Sequence, residues 1–77
     1  MSEYQDELRI LRVERDSIAI AAANAALVYF ECLDVEPNED VCEVHLHNLK
    51  EIIRSYRMAK RLYYNWLFKG AREETEE

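Results

Sequence analysis

Residues Ile18 to Phe30 read IAIAAANAALVYF and contain one polar residue, Asn24. A surface helix of a globular protein normally carries its apolar residues on one stripe. This segment is apolar almost all the way round, and a single neighbouring helix cannot cover such a surface. The segment therefore predicts burial against a second molecule, and association as the main activity of the chain.

Two long helices account for most of the sequence. Apolar residues recur at helical spacing from the N-terminus to Leu33, and the only turn-like stretch, DVEPNED, covers residues 34–40. Pro37 suits the first position of a new helix, and Gly70 is a natural helix end. We expect helices over 3–33 and 38–69, a loop over 34–37, a single domain over 1–72 and an acidic disordered tail over 73–77.

The matched helix lengths predict how the two helices pack. Each helix has about 30 residues and is about 45 Å long at 1.5 Å per residue. A short connection between such helices favours an antiparallel two-helix hairpin, so the fold class is all-α. A chain of 77 residues is marginally stable alone, and small domains of this kind often oligomerise. We therefore expect the hairpin to dimerise into a four-helix bundle.

The predicted self-association surface lies on the first helix. It combines the bulky residues that the hairpin cannot cover with one polar residue, and consists of Ile18, Ile20, Asn24, Leu27, Val28 and Tyr29. A buried Asn can fix the register of a helical assembly by requiring a partner, although Asn24 could instead face water in line with Ser17 and Glu31.

The second helix carries a basic row beside its apolar arc. This basic row consists of Lys50, Arg54, Arg57 and Arg61 at steps of four, three and four. Aromatic residues follow near the end of the helix, and basic residues beside exposed aromatic residues are typical of protein-binding hot spots. The predicted partner-binding set is Arg54, Arg57, Arg61, Tyr64, Trp66 and Phe68. The same composition allows an alternative, contact of the basic row with nucleic acid.

Charge is distributed unevenly along the chain. Residues 31–43 carry six acids and no base, a net charge of -6, whereas residues 50–72 carry seven bases and one acid, a net charge of +6. A negatively charged region and a positively charged region on one chain favour pairing with a second copy or with a partner of complementary charge.

Cys32 and Cys42 lie at equal distances in sequence from Pro37. We expect two reduced, buried cysteines in a cytoplasmic protein, where disulfides are rare. A disulfide across the end of the hairpin is the first alternative, and its geometry cannot be derived from sequence. A zinc site built on Cys42 and His45 is the second, but the paired CxxC spacing is missing. We therefore predict no metal.

No catalytic signature is present, so we expect a non-enzymatic protein without cofactors. The chain lacks a Ser/His/Asp grouping and a glycine-rich phosphate loop, and a two-helix hairpin offers no concave pocket of its own. The acidic N-terminus has no apolar core of a signal peptide. The 13-residue apolar run is shorter than the roughly 20 residues that span a bilayer. We predict a soluble, cytoplasmic adaptor, co-chaperone or inhibitor that binds itself and another protein.

One part of the sequence resembles the Rop family of plasmid copy-number proteins. The residues that carry the resemblance are Leu33-Asp34, Asp40-Val41-Cys42-Glu43, Glu51 and Arg54-Ser55, about a third of the chain. The resemblance implies a homodimeric four-helix bundle. Rop binds RNA through its first helix, whereas the first helix here carries Glu7, Glu14, Ile18 and Ala22, so only the architecture is taken over. In size, acidity and helicity the chain is also similar to type III secretion co-chaperones and to small phage inhibitors.

Overall fold

A computed structural model describes the backbone of residues 3–76 and the side chains of residues 3–70. The described chain is all helical, as predicted, with α1 over Glu3–Val35, a short 3-10 helix, η1, over Glu39–Cys42, and α2 over Glu43–Glu76. Tyr4 near the start of α1 contacts Trp66 near the end of α2. Cys32 and Cys42 are bonded at the opposite end. The two helices therefore lie side by side in opposite directions, and we call them the helix pair.

The helix pair is long and thin. Its extents are 62 × 18 × 13 Å, because two helices of more than 30 residues lie side by side with nothing packed across them. Among the described residues, the buried ones are Ala25, Cys42, Ala59 and Gly70. Three of the four are small, which allows the helix backbones to approach closely.

The residues between the helices are those that the helical spacing predicts. On α1 the apolar positions Leu8, Leu11, Ile18, Ala22, Ala25, Tyr29 and Leu33 are all buried or half-buried. On α2 the same holds for the apolar arc of Cys42, His45, Leu49, Ile52, Ile53, Tyr56, Ala59, Tyr63 and Leu67. The residues at the 3.6-residue period thus lie on the less exposed side of each helix.

The connection between the helices differs in detail from the predicted loop over 34–37. α1 continues to Val35, and the Glu36 amide donates a last hydrogen bond of 2.9 Å to the Cys32 carbonyl. Pro37 then stops the helix, because a residue before proline disfavours helical backbone angles. Asn38, rather than Pro37, starts the next element: its side-chain oxygen accepts a 3.0 Å hydrogen bond from the Asp40 amide, as N-cap residues do.

The far end of α2 also differs from the prediction, because the helix passes through Gly70 and continues to Glu76. Gly70 has no positive φ angle, so it does not form the left-handed cap that the prediction required. Instead it provides space, because a Cβ atom at this position would overlap the Tyr4 ring. Most of the segment predicted as a disordered tail, residues 73–76, is helical backbone, and Glu77 lies outside the described residues.

The expectation of two reduced cysteines is wrong for this structure. Cys32 at the end of α1 and Cys42 at the end of η1 form a disulfide bond, with their Cα atoms 5.9 Å apart. The Cys42 side chain is 0% exposed and is the largest fully buried one. The bond joins the two helices where the chain turns and closes a loop with a sequence separation of 10 residues.

Removing this bond should lower the free energy of unfolding by about 2.5–3 kcal/mol, the loop-entropy value for a ring of this size. We expect this loss in a variant with both Cys32→Ala and Cys42→Ala, measured by urea unfolding against the oxidised protein. Adding dithiothreitol should lower the stability of the oxidised protein by a similar amount and leave the variant unchanged. Equal stability of variant and oxidised protein would show that the bond does not hold the helix pair.

Candidate protein-interaction surfaces

The exposed apolar area of α1 is the first candidate surface. Exposed large hydrophobic residues on this helix are Ile10, Val13, Ile20, Leu27, Val28, Phe30 and Val35. The structure places the predicted self-association residues on different sides of the helix. Ile18 and Tyr29 are half-buried beside α2, whereas Ile20, Asn24, Leu27 and Val28 are exposed.

The exposed apolar residues of α1 lie on more than one side of the helix. Val13, Ile20 and Leu27 recur every seven residues on the side of α1 that points away from α2, and we call them the outer row. Their exposure is 57%, 64% and 58%. Val28 lies on a different side, near the groove between the two helices, because one residue rotates the helix by about 100°. The helix pair therefore covers neither the outer row nor Val28.

The second candidate surface, the basic row of α2, also faces away from α1. Lys50, Arg54, Arg57 and Arg61 are all exposed. Arg54 forms an ion pair of 3.1 Å with Glu51, whereas Arg57 and Arg61 make no ion pair with any residue that the structure describes. These two guanidinium groups are therefore available to an external acidic group.

The predicted aromatic residues separate into an exposed pair and an internal one. Tyr64 and Phe68 stack with their ring centroids 6.2 Å apart, and both rings are exposed. They follow Arg61 at steps of three and four, so they extend the basic row toward the end of α2. Exposed aromatics beside arginines are the composition of protein-binding hot spots.

Trp66 is half-buried and contacts its own chain. Its ring stacks on Tyr4 with the centroids 6.1 Å apart, and its Nε1 atom donates a 3.1 Å hydrogen bond to the Tyr4 carbonyl oxygen. The Tyr4 hydroxyl donates a 3.2 Å hydrogen bond to the Leu67 carbonyl oxygen. The Lys69 ammonium lies 4.7 Å from the centroid of the Trp66 ring, a favourable cation–π distance. Trp66 thus fastens the start of α1 to α2.

Arg15 makes a second link between the helices that the sequence did not indicate. Its guanidinium carbon lies 4.5 Å from the centroid of the Tyr63 ring on α2. The side chain also donates a 3.0 Å hydrogen bond to the Asp16 carboxylate. This hydrogen bond, assisted by the Asp16 charge, raises the pKa of Arg15, although an arginine is charged at every physiological pH without such a shift. Such a pair could be found from sequence only if the helix register were known.

The described residues offer no metal site. No three His, Cys, Asp or Glu side chains within this part of the chain are grouped so that they could hold a metal ion. Because both sulfur atoms are used in the disulfide, the zinc alternative built on Cys42 and His45 lacks its thiolate ligand.

α1 also meets the length and composition criteria of a membrane-spanning helix. An 18-residue window in this helix has a mean hydropathy of 1.6, and 6% of it is buried within the chain. The predicted apolar run of 13 residues is shorter than this window, which therefore includes residues that flank Ile18–Phe30. A core helix of a soluble protein or a signal sequence satisfies the same criteria, so the absence of membrane contact stays a prediction.

Comparison with known protein families, with curated proteins and with solved structures gives no match to this chain. The resemblance to the Rop family and the cytoplasmic location accordingly stay predictions. The disulfide disfavours the cytoplasmic location, because such bonds persist mainly in oxidising compartments.

The placement of Trp66 gives a matched pair of variants. Trp66→Ala should lower the free energy of unfolding by about 1–3 kcal/mol, because it removes half-buried ring area and the hydrogen bond to Tyr4. Phe68→Ala, with a ring that is 62% exposed, should change it by less than about 0.5 kcal/mol. Urea unfolding at one chain concentration measures both. A larger loss for Phe68→Ala than for Trp66→Ala would contradict this assignment of internal and external aromatics.

Proposed function

We propose that the chain is a non-enzymatic protein–protein interaction module that acts as a helical dimer, with two hairpins forming a four-helix bundle. The observation that carries this proposal is the contrast between buried and exposed apolar residues. Three hydrophobic residues of the described chain are buried, whereas thirteen large ones are exposed. A soluble monomer rarely exposes apolar area in contiguous patches of this kind.

The total accessible area supports the same proposal. The chain exposes 6255 Å², whereas a compact monomer of 9.2 kDa is expected to expose about 4,900 Å². The surplus of roughly 1,300 Å² exceeds the 800 Å² or so that each partner buries in a standard interface. A second copy of the chain could therefore remove this surplus without any change in the helix pair.

Protein, rather than lipid, is the proposed cover for α1. Asp16 and Glu31 enclose an uncharged stretch over residues 17–30, which is about 21 Å long as a helix and shorter than the 30 Å hydrocarbon core of a bilayer. The disulfide also holds α1 beside α2, whose exposed basic row is costly to place in lipid. A soluble protein remains part of the proposal, and a cytoplasmic location is compatible with it only if the Cys32–Cys42 bond is reduced there.

The outward surface of such a dimer would bind a second protein. The exposed members of the predicted partner-binding set are Arg54, Arg57, Arg61, Tyr64 and Phe68, whereas Trp66 is used inside the chain. Because this surface is positive and aromatic, it suits a partner with acidic and apolar groups, and the charges would act mainly on the association rate. An adaptor, a co-chaperone or an inhibitor could work in this way.

Dimer formation makes the stability depend on concentration. We expect the thermal unfolding midpoint to rise as the chain concentration increases, because association stabilises the folded state by mass action. Val28→Asp should lower the midpoint and abolish its concentration dependence, since an unpaired charge in an apolar interface is costly. Circular dichroism melts over a hundredfold range of concentration measure both effects. A midpoint of the wild type that stays constant would contradict the proposed dimer.

Nucleic-acid binding is the second candidate, favoured by the two exposed arginines of the basic row that lack an ion pair within the described chain. Against it, the chain has a net charge of -6, which weakens attraction to phosphates.

A charge reversal separates the two candidates. If RNA or DNA binds at low salt, Arg57→Glu should abolish the binding and Arg9→Glu, the same charge change on α1, should weaken it only slightly. Gel-shift titrations at several salt concentrations test this, because phosphate contacts give a steep salt dependence. We expect no binding by the wild type at low salt. Tight binding that Arg57→Glu alone abolishes would replace the protein-binding proposal with the nucleic-acid one.

A further inference from the structure

The helix pair has a shallow groove on one of its two broad faces. The groove has a volume of about 340 Å³ and is lined by Glu14, Ile18, Ser55, Met58, Ala59 and Leu62. Both helices contribute apolar side chains to it, and Met58 and Leu62 are exposed at 63% and 54%. We call this side of the helix pair the groove face.

The apolar strip extends beyond the groove in both directions. Ile10 lies four residues before Glu14 on the same side of α1, and Ala21 and Val28 follow Glu14 at intervals of seven residues. On α2, Val44 lies on the same side as Ser55, three full turns before it. Ile10, Val28 and Val44 are exposed. The groove face therefore carries apolar side chains at several levels along the helix pair, with Glu14, Glu51 and Ser55 between them.

The opposite broad face is less suited to a second copy of the chain. On a helical wheel it carries Arg12, Arg15 and Lys60, and Lys60 lies 6.0 Å from the centroid of the Tyr64 ring. Two copies packed through this face would bring cations of both chains together. On the groove face the central charges are Glu14 and Glu51, and Glu51 is already paired with Arg54.

Charge also distinguishes the two possible directions of the second copy. The connected end of the helix pair, residues 31–43, has a net charge of -6. The free end, residues 3–16 and 57–77, carries eight bases and nine acids, a net charge of -1. If the copies point the same way, the two acidic ends adjoin and repel. If they point in opposite directions, each strongly acidic end lies beside an end that is nearly neutral, so the repulsion is smaller.

We infer that a second copy of this chain packs on the groove face in the opposite direction, so that α1 lies on α1 and α2 on α2. This inference rests on the proposed dimer and specifies its interface. Ile10 and Val28 lie nine residues on either side of Ala19, the midpoint of α1. In this arrangement Ile10 of each copy contacts Val28 of the other, and the basic rows and outer rows stay outside.

The size of the groove face fits such a dimer. A face of 62 by 18 Å has an area of about 1,100 Å², above the 800 Å² per partner that a standard stable interface buries.

Two leucines with similar exposure test whether the groove face is the dimer interface. Leu62 on the groove face is 54% exposed and Leu27 in the outer row is 58% exposed. Leu62→Asp should raise the dissociation constant of the dimer by about 100-fold or more, whereas Leu27→Asp should change it less than about threefold. Sedimentation equilibrium measures both, and circular dichroism checks that each variant is still helical.

The other outcomes separate this inference from the proposal on which it rests. A dimer that survives Leu62→Asp, or that Leu27→Asp dissociates equally well, overturns the groove face as the interface and leaves the dimer itself intact. A monomeric wild type overturns both.

Cross-linking tests the direction. The photo-reactive residue p-benzoylphenylalanine replaces Ile10, and this variant is mixed with ¹⁵N-labelled wild type so that cross-links between copies are recognised by mass. We expect intermolecular cross-links to peptides around Val28. Intermolecular cross-links to residues 62–66, which lie at the height of Ile10 on α2, would show that the copies point the same way and would overturn the inferred direction.

Discussion

From Ile18 to Phe30, α1 is apolar around most of its circumference, and α2 can cover only the side that faces it. Ala25 and Ala59 allow the helices to approach closely, but this contact leaves Ile20, Leu27 and Val28 exposed. Hydrophobic burial is worth about 25 cal/mol per Å² of apolar area. Burial of the surface that α2 leaves uncovered can therefore supply binding free energy. The inferred dimer covers the groove side with Val28 and leaves the outer row, with Ile20 and Leu27, on its outside.

The helix pair is fastened at both ends. At the connected end the Cys32–Cys42 bond joins the helices covalently. At the free end the rings of Tyr4 and Trp66 are in contact, and each side chain also donates a hydrogen bond to a backbone carbonyl group of the other helix. Gly70 provides the space for the Tyr4 ring. Because a thin pair of helices has few buried residues, these end contacts fix the register that its small core alone would specify weakly. A fixed register keeps the groove face and the basic row on defined sides of the pair.

Much of this arrangement follows from the sequence, because a helix repeats every 3.6 residues and apolar residues at that spacing share one side. The helices, their contact surfaces and the exposure of Ile20 and Leu27 could be predicted in this way. The disulfide could not, since bond formation depends on the distance between two Cα atoms. Trp66 was predicted to be external because its partner Tyr4 is 62 residues away in sequence. Gly70 was predicted to end the helix, because its contact with the same distant Tyr4 ring cannot be derived from sequence. Division of the α1 surface into an outer row and a groove side required the relative rotation of the helices.

The most direct test of the central claim is the absolute molar mass in solution, measured by light scattering across a concentration series at low and high salt. We expect a mass of about twice 9.2 kDa at both salt concentrations, because apolar burial rather than charge supplies most of the binding free energy. A mass of 9.2 kDa throughout the series would mean that a second copy does not cover α1 and would contradict the account.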